Sequence, residues 1–232
     1  MNVLNRNINN IFFIFAIGHL IIWTLIPTLT NKNLPLDTIE ALAWGSNLDW
    51  GFNKHPPMSA FFSEVFFNIF GARDWAYYLM SQIFVITAFY YIFKFAFEIL
   101  KDIKLSLISV LLLESIFFYN FTSPEFNVNV CQLPFWSLVI YFSWKIFDAK
   151  EIKFSDCFLL GLFAAAGFLS KYLFIYLLIS ISLLFIYSIF KRLKSFDFKY
   201  VISIEVFLVL LVPHLIWLFD NEFITVSYGL KR

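Results

Sequence analysis

Charge is scarce in this sequence. Asp, Glu, Lys and Arg together make up 14% of the 232 residues, against about 25% in an ordinary soluble domain. Hydrophobic residues reach 61%, with 33 Phe among them. Surface-to-volume scaling leaves no way to hide them all inside one water-facing globule of this size. Charge of either sign is nearly balanced, at a net +1. That excludes the basic surface needed for a sequence-independent grip on nucleic acid, and no nucleic-acid partner is expected. Cysteine is nearly absent as well. Cys131 and Cys157 lie in or beside apolar runs and read as packing residues, because a disulfide framework or a zinc site needs more Cys or His at ligand spacing.

What fills the chain is hydrocarbon, with a mean hydropathy of +0.79. A membrane span needs about 20 apolar residues. Ile11–Leu29, Trp75–Leu100, Val130–Phe147 and Tyr200–Phe219 meet that length, and Leu105–Phe121 is a shorter run holding Glu114. Cys157–Phe190 is too long for one span and is interrupted by Ser170-Lys171-Tyr172, so it reads as two helices joined by a tight turn. The first run is longer than a signal-peptide core, and Ile26-Pro27-Thr28 is a poor cleavage site, which makes it a retained span. The expected fold is all-α: a polytopic membrane protein of about seven transmembrane helices.

Basic residues set the expected orientation. With the N-terminus in the cytoplasm, the inner side collects Arg6, Lys94, Lys101, Lys104, Lys145, Lys150, Lys153, Lys191, Arg192, Lys194 and Lys199. The outer side has Lys32, Lys54, Arg73, Lys171, Lys231 and Arg232. Short loops rich in Lys and Arg stay cytoplasmic, so the imbalance favours the N-terminus inside, in the inner (cytoplasmic) membrane of a cell.

The two outer loops differ from the inner ones. The first, residues 30–74, has helical spacing from Asp37, with Gly45 or Gly51 to end it. Pro56-Pro57 forbids helix, and a new apolar stretch runs from Met58 to Phe70. This predicts interfacial helices on the outer leaflet. The second outer loop reads Thr122-Ser123-Pro124-Glu125-Phe126-Asn127-Val128-Asn129. Polar groups therefore gather at one membrane face, where a site is expected.

Within the first loop, Asp37 and Glu40 stand three apart on a helix and point the same way. They read either as a capping box without further function or as a carboxylate pair that binds a cation or takes a proton from a hydroxyl. Lys54-His55-Pro56-Pro57 offers two basic groups beside a rigid turn, either snorkelling to headgroups or neutralising a phosphate. Lys171 lies between helices of almost pure hydrocarbon, where a basic residue is costly and functional by default. Glu114 reads as structural, paired with Lys104 or another helix, and His19 and His214 as residues that hydrogen-bond between helices.

At these residues the chain resembles bacterial family 39 glycosyltransferases of the GT-C group, which include protein O-mannosyltransferases and the aminoarabinose transferase of lipid A. The runs Leu36–Gly45, Asn53–Met58, Asp74-Trp75 and Ser81-Gln82 match the first outer loop and its flank. Ser123–Asn129, Gly167–Tyr172 and Pro213–Trp217 follow in order. The resemblance implies an inverting transfer of sugar from a polyprenyl-phosphate donor to a hydroxyl on a lipid, glycan or protein acceptor at the outer face. It implies Asp37 as general base, Glu40 as its support or a ligand of a possible divalent metal, and Lys54, His55 and Lys171 as holders of the donor phosphate. Val128 stands where the family has His between two Asn. Relatives are longer, so residues 1–232 are expected to be one GT-C-like transmembrane domain, incomplete at its C-terminus. The alternatives are a membrane transporter or lipid flippase, and a catalytically inactive partner subunit.

Overall fold

The computed structural model describes residues 3–231, with side chains from residue 8 onward; the side chain of Arg6, and Arg232 altogether, fall outside it. Every described element is helical. In order they are α1 (Val3–Thr30), α2 (Leu36–Gly45), α3 (Met58–Phe70), α4 (Asp74–Leu100), α5 (Ile103–Glu114), α6 (Val128–Asp148), α7 (Phe154–Ser170), α8 (Ile175–Phe190), α9 (Lys199–Asp220) and α10 (Ile224–Leu230). Helix is the expected answer to a bilayer, because hydrocarbon offers no water to unpaired backbone groups. Pro27, Pro134 and Pro213 sit inside α1, α6 and α9, a position tolerated in membrane helices far more than in soluble ones.

The seven apolar runs become α1, α4, α5, α6, α7, α8 and α9. Among the described residues, five helical segments are long and apolar enough to cross a membrane. The structure therefore gives a multi-pass membrane protein. α7 has 17 residues, the lower end of the spanning range. α5 stops after 12, about 18 Å of helix. It ends at Glu114, whose carbonyl accepts from Asn120 Nδ2 at 2.6 Å, and a 3-10 turn, Phe117–Tyr119, follows.

α4 is the central helix, packed by α1, α5 and α6; α7 follows against α6, and α9 against α7. Tyr77, Met80, Val85 and Phe89 of α4 are fully buried with Val130 and Val139 of α6. α8 buries only Ser188; Leu177, Leu178 and Ile181 pack partly buried against the core, while Tyr176, Leu183, Ile186 and Phe190 are exposed. α7 and α9 meet through small residues: a Cβ added at Gly161 would stand 2.5 Å from the Ser203 carbonyl oxygen, and Ser203 Oγ donates to the Cys157 carbonyl at 2.8 Å. Without a hydrophobic drive between helices in lipid, such close backbone approach is what holds them.

His19 on α1 makes polar contacts with two other helices inside the bundle. His19 Nε2 on α1 bonds Gln82 Oε1 on α4 at 2.9 Å, as its reading required. Glu114 pairs with α1 rather than with Lys104, its Oε2 lying 2.9 Å from His19 Nδ1 though out of hydrogen-bond alignment.

Gly161→Val is expected to force α7 and α9 apart. Overpacking of this kind costs about 1–3 kcal/mol, so the thermal unfolding midpoint of the purified protein in detergent falls, and Gly161→Ala falls less.

Candidate functional site

The connection between α1 and α4, read above as the first outer loop, folds into two short helices tied together at Gly45. A Cβ there would meet the Ala60 carbonyl oxygen at 2.9 Å, so α2 and α3 touch backbone to backbone. α2 begins one residue earlier than its sequence start, at Leu36 after Pro35, and no side chain caps it. The capping-box reading of Asp37 and Glu40 is thus excluded: Asp37 lies within the first turn. Thr38 Oγ1 donates to the Phe126 carbonyl at 3.1 Å, which moors α2 to the second outer loop.

Each charged group of the loop finds a definite place. Lys54 Nζ donates to Glu40 Oε1 at 2.5 Å. That hydrogen bond, partly opposed by burial, raises the Lys54 pKa and keeps the ammonium charged. Asp37 is left outside the pair. Its backbone N–H reaches Glu125 Oε1 of the second loop at 3.4 Å. Burial first, and then the neighbouring Asp37 charge, push the Glu125 carboxyl above its usual range. Asp37, Glu40, His55, Asn127 and Val128 line one small crevice. The second loop therefore lines the same crevice through Asn127 and Val128.

A larger cleft adjoins this crevice. Its volume is about 510 Å³, and Lys54, His55 and Lys171 all line it, with Tyr172, Thr225 and Tyr228 on other walls. The three sequence-predicted basic residues therefore come to one cavity although Lys171 lies more than a hundred residues from the other two. His55 belongs to both the crevice and the cleft. Lys171 takes an extended backbone between α7 and α8, and its ammonium donates to Asn129 Oδ1 at 2.5 Å. Burial lowers its pKa. Its partner is a neutral amide, so this cation is under-compensated where Lys54 is not.

The cleft is held from behind by His214. Its Nδ1 lies 2.6 Å from the Trp50 carbonyl and its Nε2 lies 2.7 Å from Tyr172 Oη. The carbonyl can only accept, so Nδ1 carries the proton and Nε2 accepts from the tyrosine. His214 thus joins α9 to the first outer loop and to the α7–α8 turn, where the sequence suggested a bond between helices. Gly51 packs against Trp217, where a Cβ would stand 2.3 Å from the ring.

Sequence reasoning missed Glu125, Asn129 and Tyr172 as site residues. Glu125 is the only acidic residue in Ser123–Asn129, which was the available signal. Asn129 and Tyr172 carried none, since amides and tyrosines gain meaning here only from what they touch. A metal at Glu40 finds no ligand set: its carboxylate is engaged by Lys54, and no three His, Cys, Asp or Glu side chains converge as metal ligands among the described residues.

No curated protein and no solved structure matches the chain. The sequence model of the family described as dolichyl-phosphate-mannose-protein mannosyltransferase matches residues 54–217. That stretch contains Lys54, His55 and Lys171 of the cationic cleft, though neither its lining at residues 225–230 nor Asp37 and Glu40, and the resemblance to the family holds. The chain belongs to the dolichyl-phosphate-mannose-protein mannosyltransferase family, a GT-C glycosyltransferase family of the membrane.

Proposed function

We propose that this domain transfers a sugar from a polyprenyl-phosphate donor to an acceptor hydroxyl at the outer face of the inner membrane. The observation that carries the reading is one cleft lined by Lys54, His55 and Lys171 that shares His55 with a crevice lined by Asp37 and Glu40. Cations gather where a phosphate would leave, and a carboxylate stands next to them where a hydroxyl would be activated.

The chemistry follows from those positions. The Asp37 carboxylate accepts the proton of the acceptor hydroxyl, the general-base role. The freed oxygen attacks the anomeric carbon from the side opposite the phosphate, and the carbon–oxygen bond to phosphate breaks with its electron pair going to the leaving phosphate. The anomeric centre inverts. Lys171 and His55 meet the charge that develops on the phosphate, and preformed cationic donors at such a point stabilise the transition state without reorganising. Glu40 holds Lys54 at the rim of the same cleft. Glu125 accepts a hydrogen bond from the Asp37 backbone N–H and so helps position the start of α2.

A lipid donor also needs a path for its chain. Ile175 lines the cationic cleft and also an apolar groove of about 450 Å³ between α7, α8 and α9. The two spaces therefore adjoin at one residue, and the groove runs along the lipid-facing α8. A headgroup in the cleft with its isoprenoid chain in the groove uses both without a charge entering hydrocarbon.

Transfer from a panel of polyprenyl-phosphate sugars, with binding of the same lipids measured in parallel, tests the roles. Asp37→Asn is expected to lower transfer by roughly 10²–10⁴-fold while donor binding persists. Lys171→Ala is expected to weaken donor binding by roughly tenfold or more, the worth of one charge-assisted hydrogen bond. Transfer at the parent rate by Asp37→Asn would reduce Asp37 to a residue of the first helical turn.

pH separates the two lysines. Lys171, its pKa lowered by burial, loses its proton first as pH rises, whereas Lys54 stays charged. Donor binding is therefore expected to fall on the alkaline side earlier than an ordinary lysine allows. Lys171→Arg removes that early fall, since guanidinium does not titrate there. For orientation, a cysteine at Asn53 is expected to react with an impermeant thiol reagent in intact cells and one at Lys194 to stay unreacted; the reverse pattern places the cleft in the cytoplasm.

A further inference from the structure

A second cavity lies at the other end of the bundle, in a place the transfer reading does not use. Its volume is about 280 Å³, and Asn9, Phe12 and Phe13 of α1 and Tyr90, Lys94 and Phe97 of α4 line most of it. α4 starts at Asp74 beside the outer loops. At 1.5 Å per residue, Lys94 stands about 30 Å from that start, the thickness of the hydrocarbon core. The cavity therefore opens at the opposite membrane interface.

Lys94 is an unusual occupant of its wall. Its ammonium lies 5.1 Å from the centre of the Tyr141 ring, 5.5 Å from that of Tyr90 and 5.9 Å from that of Tyr91. No carboxylate pairs with it among the described residues. Glu98, one turn further along α4, accepts instead from Tyr141 Oη at 3.4 Å. Ring faces attract a cation, but they carry no net charge to cancel it. A positive charge at a span end with only aromatic company is electrically incomplete.

The rest of the cavity suggests what completes it. Asn9 brings an amide to a lining that is otherwise aromatic or aliphatic. Phe13 and Phe97 line it and are also 52% and 40% exposed on the lipid-facing surface, so the cavity and the surrounding hydrocarbon share a wall. A fitting ligand needs one anionic group for Lys94 and apolar chains for the phenylalanines. Basic pockets between membrane helices take lipid headgroups of this kind.

We propose that this cavity binds an anionic phospholipid of the leaflet away from the transfer site, with its phosphate on Lys94 and its acyl chains over Phe13 and Phe97. The phosphate diester supplies the negative charge that the tyrosine cage lacks. The lipid then bridges α1 and α4, the helix pair that also carries the His19–Gln82 bond, and so fastens the bundle from the end opposite the site.

The test uses the purified chain in detergent, titrated with phosphatidylglycerol, phosphatidylcholine or inorganic phosphate while the unfolding midpoint is followed. Phosphatidylglycerol is expected to raise the midpoint saturably, as a ligand of the folded state does, and the other two to leave it nearly unchanged. Lys94→Gln is expected to need roughly tenfold more phosphatidylglycerol for the same rise, Lys94→Arg to behave as the parent, and Lys171→Ala to keep the response, which separates this cavity from the cationic cleft. A parent-like response in Lys94→Gln, or an equal rise with phosphatidylcholine, overturns the proposal. An equal rise with inorganic phosphate overturns the lipid as ligand. Should Lys94→Gln fail to fold, Phe13→Trp keeps the lysine and adds a reporter to the seven native tryptophans: the quenching it gains over the parent should be greater with brominated phosphatidylglycerol than with brominated phosphatidylcholine at the same mole fraction, and an equal gain defeats the idea.

Discussion

A lysine ammonium cannot rest in hydrocarbon without water, an anion or an aromatic face, and in this bundle that constraint decides where chemistry is possible. Lys171 interrupts two helices that would otherwise run on as one apolar stretch. The chain turns there, which brings the ammonium to the end of the bundle and onto Asn129. With that placement the loop before α6 gains a partner, and the α7–α8 turn lines a cleft together with Lys54 and His55. The same demand is met elsewhere by other means: Lys54 by a carboxylate, Lys94 by tyrosine rings, Glu114 by a histidine of another helix.

Holding the cleft open takes contacts from four stretches of chain. His214 grips the Trp50 carbonyl and the Tyr172 hydroxyl, Gly51 admits the Trp217 ring, Thr38 reaches the Phe126 carbonyl, and Thr225 Oγ1 donates to the Phe52 carbonyl. Each bond crosses between elements, and several tie an outer loop to the end of a helix. A loop carrying a binding site is useful when a rigid scaffold positions it, and these contacts make the first outer loop part of that scaffold. The division of labour between carboxylates follows: Glu40 is consumed by Lys54, and Glu125 is driven toward its neutral form by burial and by Asp37. Asp37 is the carboxylate left outside the ion pair.

Much of the fold was legible because hydrophobic length and proline and glycine placement are local signals. α3 begins at Met58 after Pro57 and ends at Phe70 before Gly71, which takes a positive φ of 69° that suits glycine. The break at Lys171 was legible for the same reason, since a charge among apolar residues stands out by composition. The shortness of α5 was not: the apolar run continues past Glu114, and the amide that meets the Glu114 carbonyl lies six residues on. The capping box failed for a related reason. Asp37 with Glu40 has the right spacing, but the helix start was decided by Pro35, whose fixed φ precedes the first turn.

By itself, then, the sequence determined the solvent, the helical class, the positions of the spans and the residue types that carry charge, because each depends on composition over one turn or one bilayer thickness. Only the tertiary structure decided which charges share a cavity. Nothing along the chain says that Lys54 faces Glu40 while Lys171 faces an amide, or that Glu125 approaches Asp37 across 88 residues. Those pairings depend on how α2 and α3 dock onto α4, α6 and α7, and helix packing in lipid is set by small residues and shape rather than by any pattern that repeats along one helix.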